Sequence, residues 1–386
     1  MHHRASWVLV MVVVVGCGGS KSVRESPPVP TNVPRSSSAN PLVDQLKYIA
    51  ARLTACEGDL TAASPRDASE ACKLAVTTLL AGCGSADLRA LEASDHVSES
   101  CKESLWKLLP ERDSHRSRVL VMGAARADGV LDVYVAASDD RGEPAPATFG
   151  ELTIQLEVAG RLEVVETTSA PLPARCDRPL FSASSILDYS GSMSDHDIDD
   201  SIEIMRTLYT ALPQGCLESD VIVFSTQVRR THEATADRRA MSAAVARNDR
   251  MPRATTALVD AIGDGATGVS KRTAPIRLLL VATDGMENAS TRWSYADALR
   301  VAETSGTRII SFGSLLSDVG FLEMVGAQTG GFFIYRPRPS VLAAAAHSVG
   351  RLLGSTRRLR VVDARLATAT HVIVQHGSQT IRIPLQ

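Results

Sequence analysis

The stretch Ser185-Ile186-Leu187-Asp188-Tyr189-Ser190-Gly191-Ser192-Met193 runs from an apolar strand into a polar turn. Asp188, Ser190 and Ser192 alternate, so a loop leaving the strand can turn all three oxygen-bearing side chains one way. Gly191 lets the backbone approach whatever they hold. Downstream, Thr255-Thr256-Ala257-Leu258-Val259-Asp260 opens a helical pattern, and Thr283-Asp284-Gly285 follows the apolar run 278–281. Around these sites strands alternate with helices: strands at 185–188, 221–224, 278–281, 308–312 and 332–335, helices at 197–212, 241–245, 257–269, 295–304, 321–328 and 341–353. The strands are continuous apolar runs, as expected when both faces are buried. Such alternation predicts a mostly parallel sheet wrapped by helices, with ligands bound at the carboxyl ends of its strands. The carboxylates of Asp188 and Asp284 and the hydroxyls of Ser190, Ser192 and Thr256 form a hard, all-oxygen set. That chemistry suits Mg²⁺, with Mn²⁺ or Ca²⁺ as alternatives.

The D-x-S-x-S run, the distant Thr and the T-D-G turn resemble the von Willebrand factor type A domain and its metal-ion-dependent adhesion site. The resemblance spans about 175 residues, in the family's order and on the family's elements, within the context such a motif needs. It departs in one place: Ala254-Thr255 stands where the family commonly has Gly-Gly before the Thr. The resemblance implies a Rossmann-like α/β fold with strand order 3-2-1-4-5-6 and helices on both faces, and Asp188 and Asp284 flanking the switch point. It implies metal ligation by Asp188, Ser190, Ser192, Thr256 and Asp284. Two aspartates balance a divalent cation, neutral hydroxyls leave it electrophilic, and an acidic side chain of a partner protein completes the shell. The alternative is a scaffolding module whose metal only stabilises the fold.

The remaining sequence is read outward from this core. The chain has 386 residues, 44% hydrophobic and 22% charged, which excludes wholesale disorder. Lys and Arg total 41 against 43 Asp and Glu, so no basic balance points to nucleic acid. A basic start (Met1 to Arg4), an apolar run (Ala5 to Val15) and Gly16-Cys17 have the parts of an export signal. Val14-Val15-Gly16-Cys17 resembles the lipobox of bacterial lipoproteins, which implies lipidation at Cys17 and a membrane anchor. Gly18 in place of Asp favours the outer membrane by the enteric rule. An ordinary cleaved signal with an incidental cysteine is the alternative. Residues 17–41, rich in Gly, Ser and Pro, read as a tether.

Export places the six other cysteines in an oxidising compartment, where an even number suggests disulfides. Cys56, Cys72, Cys83 and Cys101 fall in a small helical region, 42–115, with three possible connectivities. Cys176 and Cys216 bracket the first strand and helix of the α/β domain. The helix returns the chain to the strand's starting end, so these two should pair opposite the metal. Residues 116–175 carry β texture, with 152–158 alternating inward at even positions. The tail, 356–386, has the same texture, and both ends are expected to share one antiparallel β structure. The organisation expected is therefore signal 1–16, tether 17–41, helical region 42–115, β region 116–175, type A domain 176–355 and C-terminal strands 356–386.

Other constellations fail on spacing. Asp195, Asp197, Asp199 and Asp200 lack the Gly and closing Glu of an EF-hand, and are read as acids at a helix N-terminus. A second calcium site, as in some integrin-like relatives, would use Asp195 but finds His196 at its other position. Residues 263–271 lack the Lys of a phosphate loop, and no G-x-S-x-G or H-E-x-x-H occurs. No nucleophile–base pair stands out, so a binding protein is expected rather than an enzyme. His232-Glu233 and Arg357, Arg358, Arg360 and Arg365 are read as solvated surface.

Overall fold

In the computed structural model, the described residues are 119–385, apart from 140–142, 249–250, 285–286, 315–316 and 337–338, together with 83, 98, 100–101 and 112–113. The export signal, Cys17, the tether, Cys56 and Cys72 lie outside them, as does Gly285. Cys83 pairs with Cys101, which settles one link of the helical region. The end of that region is not helical: Arg112–Asp113 is a two-residue strand, β1, just after Pro110, which removes a helical N–H donor.

Asp113–Tyr335 and Pro339–Gln386 form one compact unit. Its central sheet runs β9 (Val228–Thr235), β8 (Leu217–Phe224), β7 (Phe181–Asp188), β10 (Ile276–Thr283), β11 (Thr307–Gly313) and β12 (Phe332–Tyr335). Counted within the domain this is the expected 3-2-1-4-5-6 order. The β8–β7, β7–β10, β10–β11 and β11–β12 pairs are parallel, and β9 alone turns back antiparallel to β8. Side chains alternate across the sheet. Phe181, Ala183 and Leu187 of β7, with Leu278 and Leu280 of β10, pack with α1 (Asp195–Ala211) and α6 (Pro339–Gly354) through Met205, Leu208, Leu342 and Val349. Ile186, Leu279 and Val281 pack on the other face with α3 (Leu258–Ser270), α4 (Tyr295–Thr304) and α5 (Val319–Thr329). The short α2 (Arg238–Ala244) adds Met241 to the first face. Helices therefore cover both faces, which is why the central strands carry no solvent-facing side.

The flanking strands form a β-sandwich built from both ends of the described chain. One layer joins β2 (Val119–Ala127), β3 (Val130–Ala137), β13 (Arg357–Val362) and β6 (Thr168–Pro171), all antiparallel. The other joins β15 (Gln379–Pro384), β14 (Ala369–His376), β4 (Thr153–Val158) and β5 (Arg161–Val164). Ile154 and Leu156, the even positions of β4, point into a shared core with Val133, Leu359 and Val372. The first layer meets the central sheet at one pair, Gly123 with Ile276, beside a bulge in β2. A Cβ at Gly123 would stand 2.2 Å from the Pro275 carbonyl oxygen, so only glycine permits this approach.

Two expectations need correction. Strand β9 was not expected, because Val-Arg-Arg-Thr-His-Glu-Ala-Thr is a polar edge strand without an apolar run. His232 and Glu233 are exposed on it. The arginines of 357–365 are not merely solvated: Arg360 forms a two-pronged pair with Asp132 at 2.7 and 2.8 Å, and Arg365 bridges Asp363 and Glu163. Among the described residues no helix is long and apolar enough to cross a membrane.

Candidate metal centre

Strand β7 ends on Asp188, and the next amide, Tyr189, still donates to Phe224 O of β8 at 2.7 Å. The chain then leaves the sheet in a turn closed by Met193 N to Ser190 O. Its far end is fixed by a capping box on α1: Ser194 accepts from Asp197 N, and the Asp197 carboxylate accepts from Ser194 N at 2.7 Å. The six residues between strand and helix are thus held at both ends.

Within that loop the predicted residues converge. Asp188 Oδ1 accepts from Ser190 N at 2.7 Å, and Asp188 Oδ2 accepts from the Thr283 hydroxyl at 2.5 Å. Ser190 Oγ and Ser192 Oγ are 3.1 Å apart, and Ser192 Oγ donates to Asp284 Oδ1 at 2.7 Å. Gly191 N donates to Ala254 O at 2.6 Å, tying the middle of the loop to the segment that carries Thr256. Asp188, Ser190, Ser192, Thr256 and Asp284 are all buried, none more than 4% exposed.

Thr256 is placed by a second loop that sequence reading missed. Asn288 Oδ1 accepts from Thr256 N at 2.7 Å, while Asn288 N and Ala289 N donate to Thr256 O. Glu287 organises that loop, accepting from Val259 N, Ala289 N and Ser290 N. Asp260 gathers Thr291 N, Arg292 N and Trp293 N at the start of α3. Thr283 O accepts from Ser314 N and the Ser317 hydroxyl, which steadies the residue that holds Asp188. Acids and hydroxyls in a loop without periodicity carry no sequence signal for these roles.

Among the described residues no group of three His, Cys, Asp or Glu side chains suits a metal, so a site here depends on hydroxyls. The oxygen spacing fits one. Neighbouring ligands of an octahedral ion with bonds of about 2.0–2.1 Å lie about 2.9 Å apart, and the 3.1 and 2.7 Å separations bracket that value. Thr256 Oγ1 is buried with no hydrogen-bond partner among the described residues, although its backbone is bonded on both sides. A buried hydroxyl left in that state costs about 1–3 kcal/mol unless something fills its lone pairs.

The acid run after the loop is otherwise engaged. Asp195 pairs with Arg253 and, at 3.2 Å, with Arg247; the Arg253 hydrogen bond holds its carboxyl below the usual range. Arg247 also binds Asp199 at 2.5 Å. Residues 263–270 lie inside helix α3, as expected once a phosphate loop is rejected. Cys176 and Cys216 form a disulfide beside the Arg175–Gln214 bridge, at the start of β7 and the end opposite Asp188.

Residues 185–343 match the family model of the von Willebrand factor type A domain. No curated protein matches the chain. Similar solved structures include a von Willebrand factor type A protein from Catenulispora acidiphila, 11% identical over 68% of this chain and 70% of that one, TM-score 0.41. An aerotolerance-related membrane protein from Bacteroides fragilis is 16% identical over 43% of this chain and 96% of that one, TM-score 0.37. Proximal thread matrix protein 1 from the mussel byssus, with a zinc-occupied MIDAS motif, is 13% identical over 51% and 50%, TM-score 0.38. The family match, laid over the strands and loops described above, identifies residues 185–343 as a von Willebrand factor type A domain.

Proposed function

We propose that this chain is an adhesion protein of the bacterial envelope, anchored by a lipid on Cys17, that binds a protein partner through a divalent cation. Asp188, Ser190, Ser192, Thr256 and Asp284 would hold the ion, with Mg²⁺ as the expected occupant. The bound cation supplies an electrophilic position for one further oxygen, a carboxylate of the partner. The chain's own residues act by position: Thr283 and Ser190 N orient Asp188, Ser192 orients Asp284, and Asn288 presents Thr256. The observation that carries this reading is the Thr256 hydroxyl, buried without a partner on a segment bonded to the Asp188 loop. Its role is binding, not catalysis.

The test uses wild type, Asp188→Ala and Cys17→Ser. Calorimetry with Mg²⁺ and Mn²⁺ should show one site in wild type and none in Asp188→Ala. Capture of partners from envelope extracts should fail with EDTA and with Asp188→Ala alike. Cys17→Ser should leave the membrane fraction while keeping its metal site. Equal metal titration of wild type and Asp188→Ala would place the ion elsewhere, and capture unaffected by EDTA would make the site structural.

A further inference from the structure

The opposite end of the central sheet carries charge of the other sign. Arg277 and Arg308 stand at the starts of β10 and β11. Arg308 Nε donates to Val121 O at 2.9 Å and its Nη1 to Thr329 O at 2.6 Å. Arg277 donates to Ser305 O and Arg272 O through its terminal nitrogens. Ser305 and Thr329 close helices α4 and α5, so both guanidiniums sit against carbonyls at helix C-termini, where cations are favoured. That accounts for these four contacts and leaves two facts over. Arg277 Nε is buried with no hydrogen-bond partner. Among the described residues neither guanidinium has a carboxylate, and burial alone pulls the Arg308 pKa below its ordinary value. Both side chains are half-buried, and guanidiniums held in place without a carboxylate are ready partners for anionic oxygens.

Both residues line a cavity of about 440 Å³ between the central sheet and strands β2 and β15. Arg126, Glu303 and Arg382 also line it. Arg382 is turned to Glu157, at 2.5 Å, whereas Arg126 has no ion pair among the described residues. Three guanidiniums thus face one carboxylate, Glu303, and two positive charges remain to be balanced.

We infer that this cavity binds a small molecule bearing a phosphate dianion, held by Arg277 and Arg308 with Arg126 at the rim. Guanidiniums recognise phosphate oxygens with paired N–H donors, and the cavity leaves room for more than the phosphate itself. The site is independent of the metal centre.

The test titrates the full chain with inorganic phosphate and, separately, glycerol 2-phosphate, in EDTA and at ionic strength matched with NaCl. Wild type should show saturable one-to-one binding and a raised melting midpoint. Tighter binding of glycerol 2-phosphate would identify an ester as the ligand, and equal or weaker binding would identify the free ion. Arg126→Gln, at the rim, should lose about three- to tenfold in affinity, and Arg308→Gln more than tenfold. Asp188→Ala should bind phosphate as wild type does, whatever becomes of its metal. If Arg308→Gln does not fold, Arg126→Gln decides alone. Binding that never saturates, or Arg126→Gln with wild-type affinity, would overturn the inference.

Discussion

Asp188 and Asp220 are fully buried aspartates on adjacent strands, β7 and β8, yet they are surrounded differently. Asp220 lies between Arg230 and Arg272, at 2.7 and 2.9 Å, as ion pairs rather than aligned hydrogen bonds. Asp188 accepts from a hydroxyl and from a backbone N–H. A buried carboxylate that answers guanidiniums is part of the scaffold. One that stands beside further hydroxyls at the carboxyl end of a strand is placed to face a ligand. The contrast separates structure from site more sharply than burial does, since burial is the same.

The largest expected effect tests that contrast on stability. Asp220→Ala strands two arginines whose side chains are 33% and 14% exposed. Breaking a buried pair costs about 3–5 kcal/mol, and partial exposure puts this one near the lower end, at about 3 kcal/mol. Asp188→Ala should change stability by less than about 1 kcal/mol, because the lost hydrogen bonds are offset by removing a buried charge. Urea denaturation in EDTA compares them directly. A larger loss in Asp188→Ala than in Asp220→Ala would make Asp188 the structural residue and break the comparison.

A smaller effect should appear on metal affinity alone. Asn288→Ala removes the acceptor for Thr256 N while leaving all five proposed ligands in place. Residues that orient metal ligands typically contribute 10- to 100-fold in affinity, and about tenfold is expected because Asn288 N and Ala289 N still bind Thr256 O. Mg²⁺ titration of wild type and Asn288→Ala measures this. Unchanged affinity would remove Thr256 from the ligand set.

The proposed ligands were legible because their spacing is their mechanism: alternation at Asp188, Ser190 and Ser192, Thr256 at a helix start and Asp284 after an apolar run. The same holds for Cys176 and Cys216, whose pairing follows from a strand and helix of opposite direction. What supports the site was not legible. Asn288, Glu287 and Asp260 act through backbone amides of an irregular loop, which no period announces. Asp220 sits inside Leu-Glu-Ser-Asp-Val-Ile-Val-Phe, and its partners come from the polar edge strand β9 and from the loop before β10, neither of which carries an apolar period. Arg277 and Arg308 carry no motif at the starts of β10 and β11, and only the cavity that both line brings them together. Edge strand β9 is illegible for the reason it is tolerated: polar side chains protect an exposed edge.

The smallest effect concerns a third way to bury a polar group beside these aspartates, keeping it neutral. Tyr209 of α1 donates to Ser185 Oγ of β7 at 2.7 Å; Ser185 Oγ lies 3.0 Å from Ser219 Oγ, and Ser219 donates to Asp220 O. Burial pushes the Tyr209 phenol up to about 12. The folded-state value lies above the ordinary value of about 10, so folding favours the protonated form. The stability tied to that phenol is therefore fully present below pH 10 and is lost as the pH rises toward 12. Tyr209→Phe should cost about 1 kcal/mol at pH 7, the worth of one buried hydrogen bond. Its stability curve should then approach that of wild type above pH 10, because only wild type carries a phenol that ionises more readily when unfolded. Lys and Arg titrate in both proteins and cancel in the difference. A gap that stays constant from pH 7 to 11.5 would show that the phenol titrates alike in both states, and that burial does not hold it neutral.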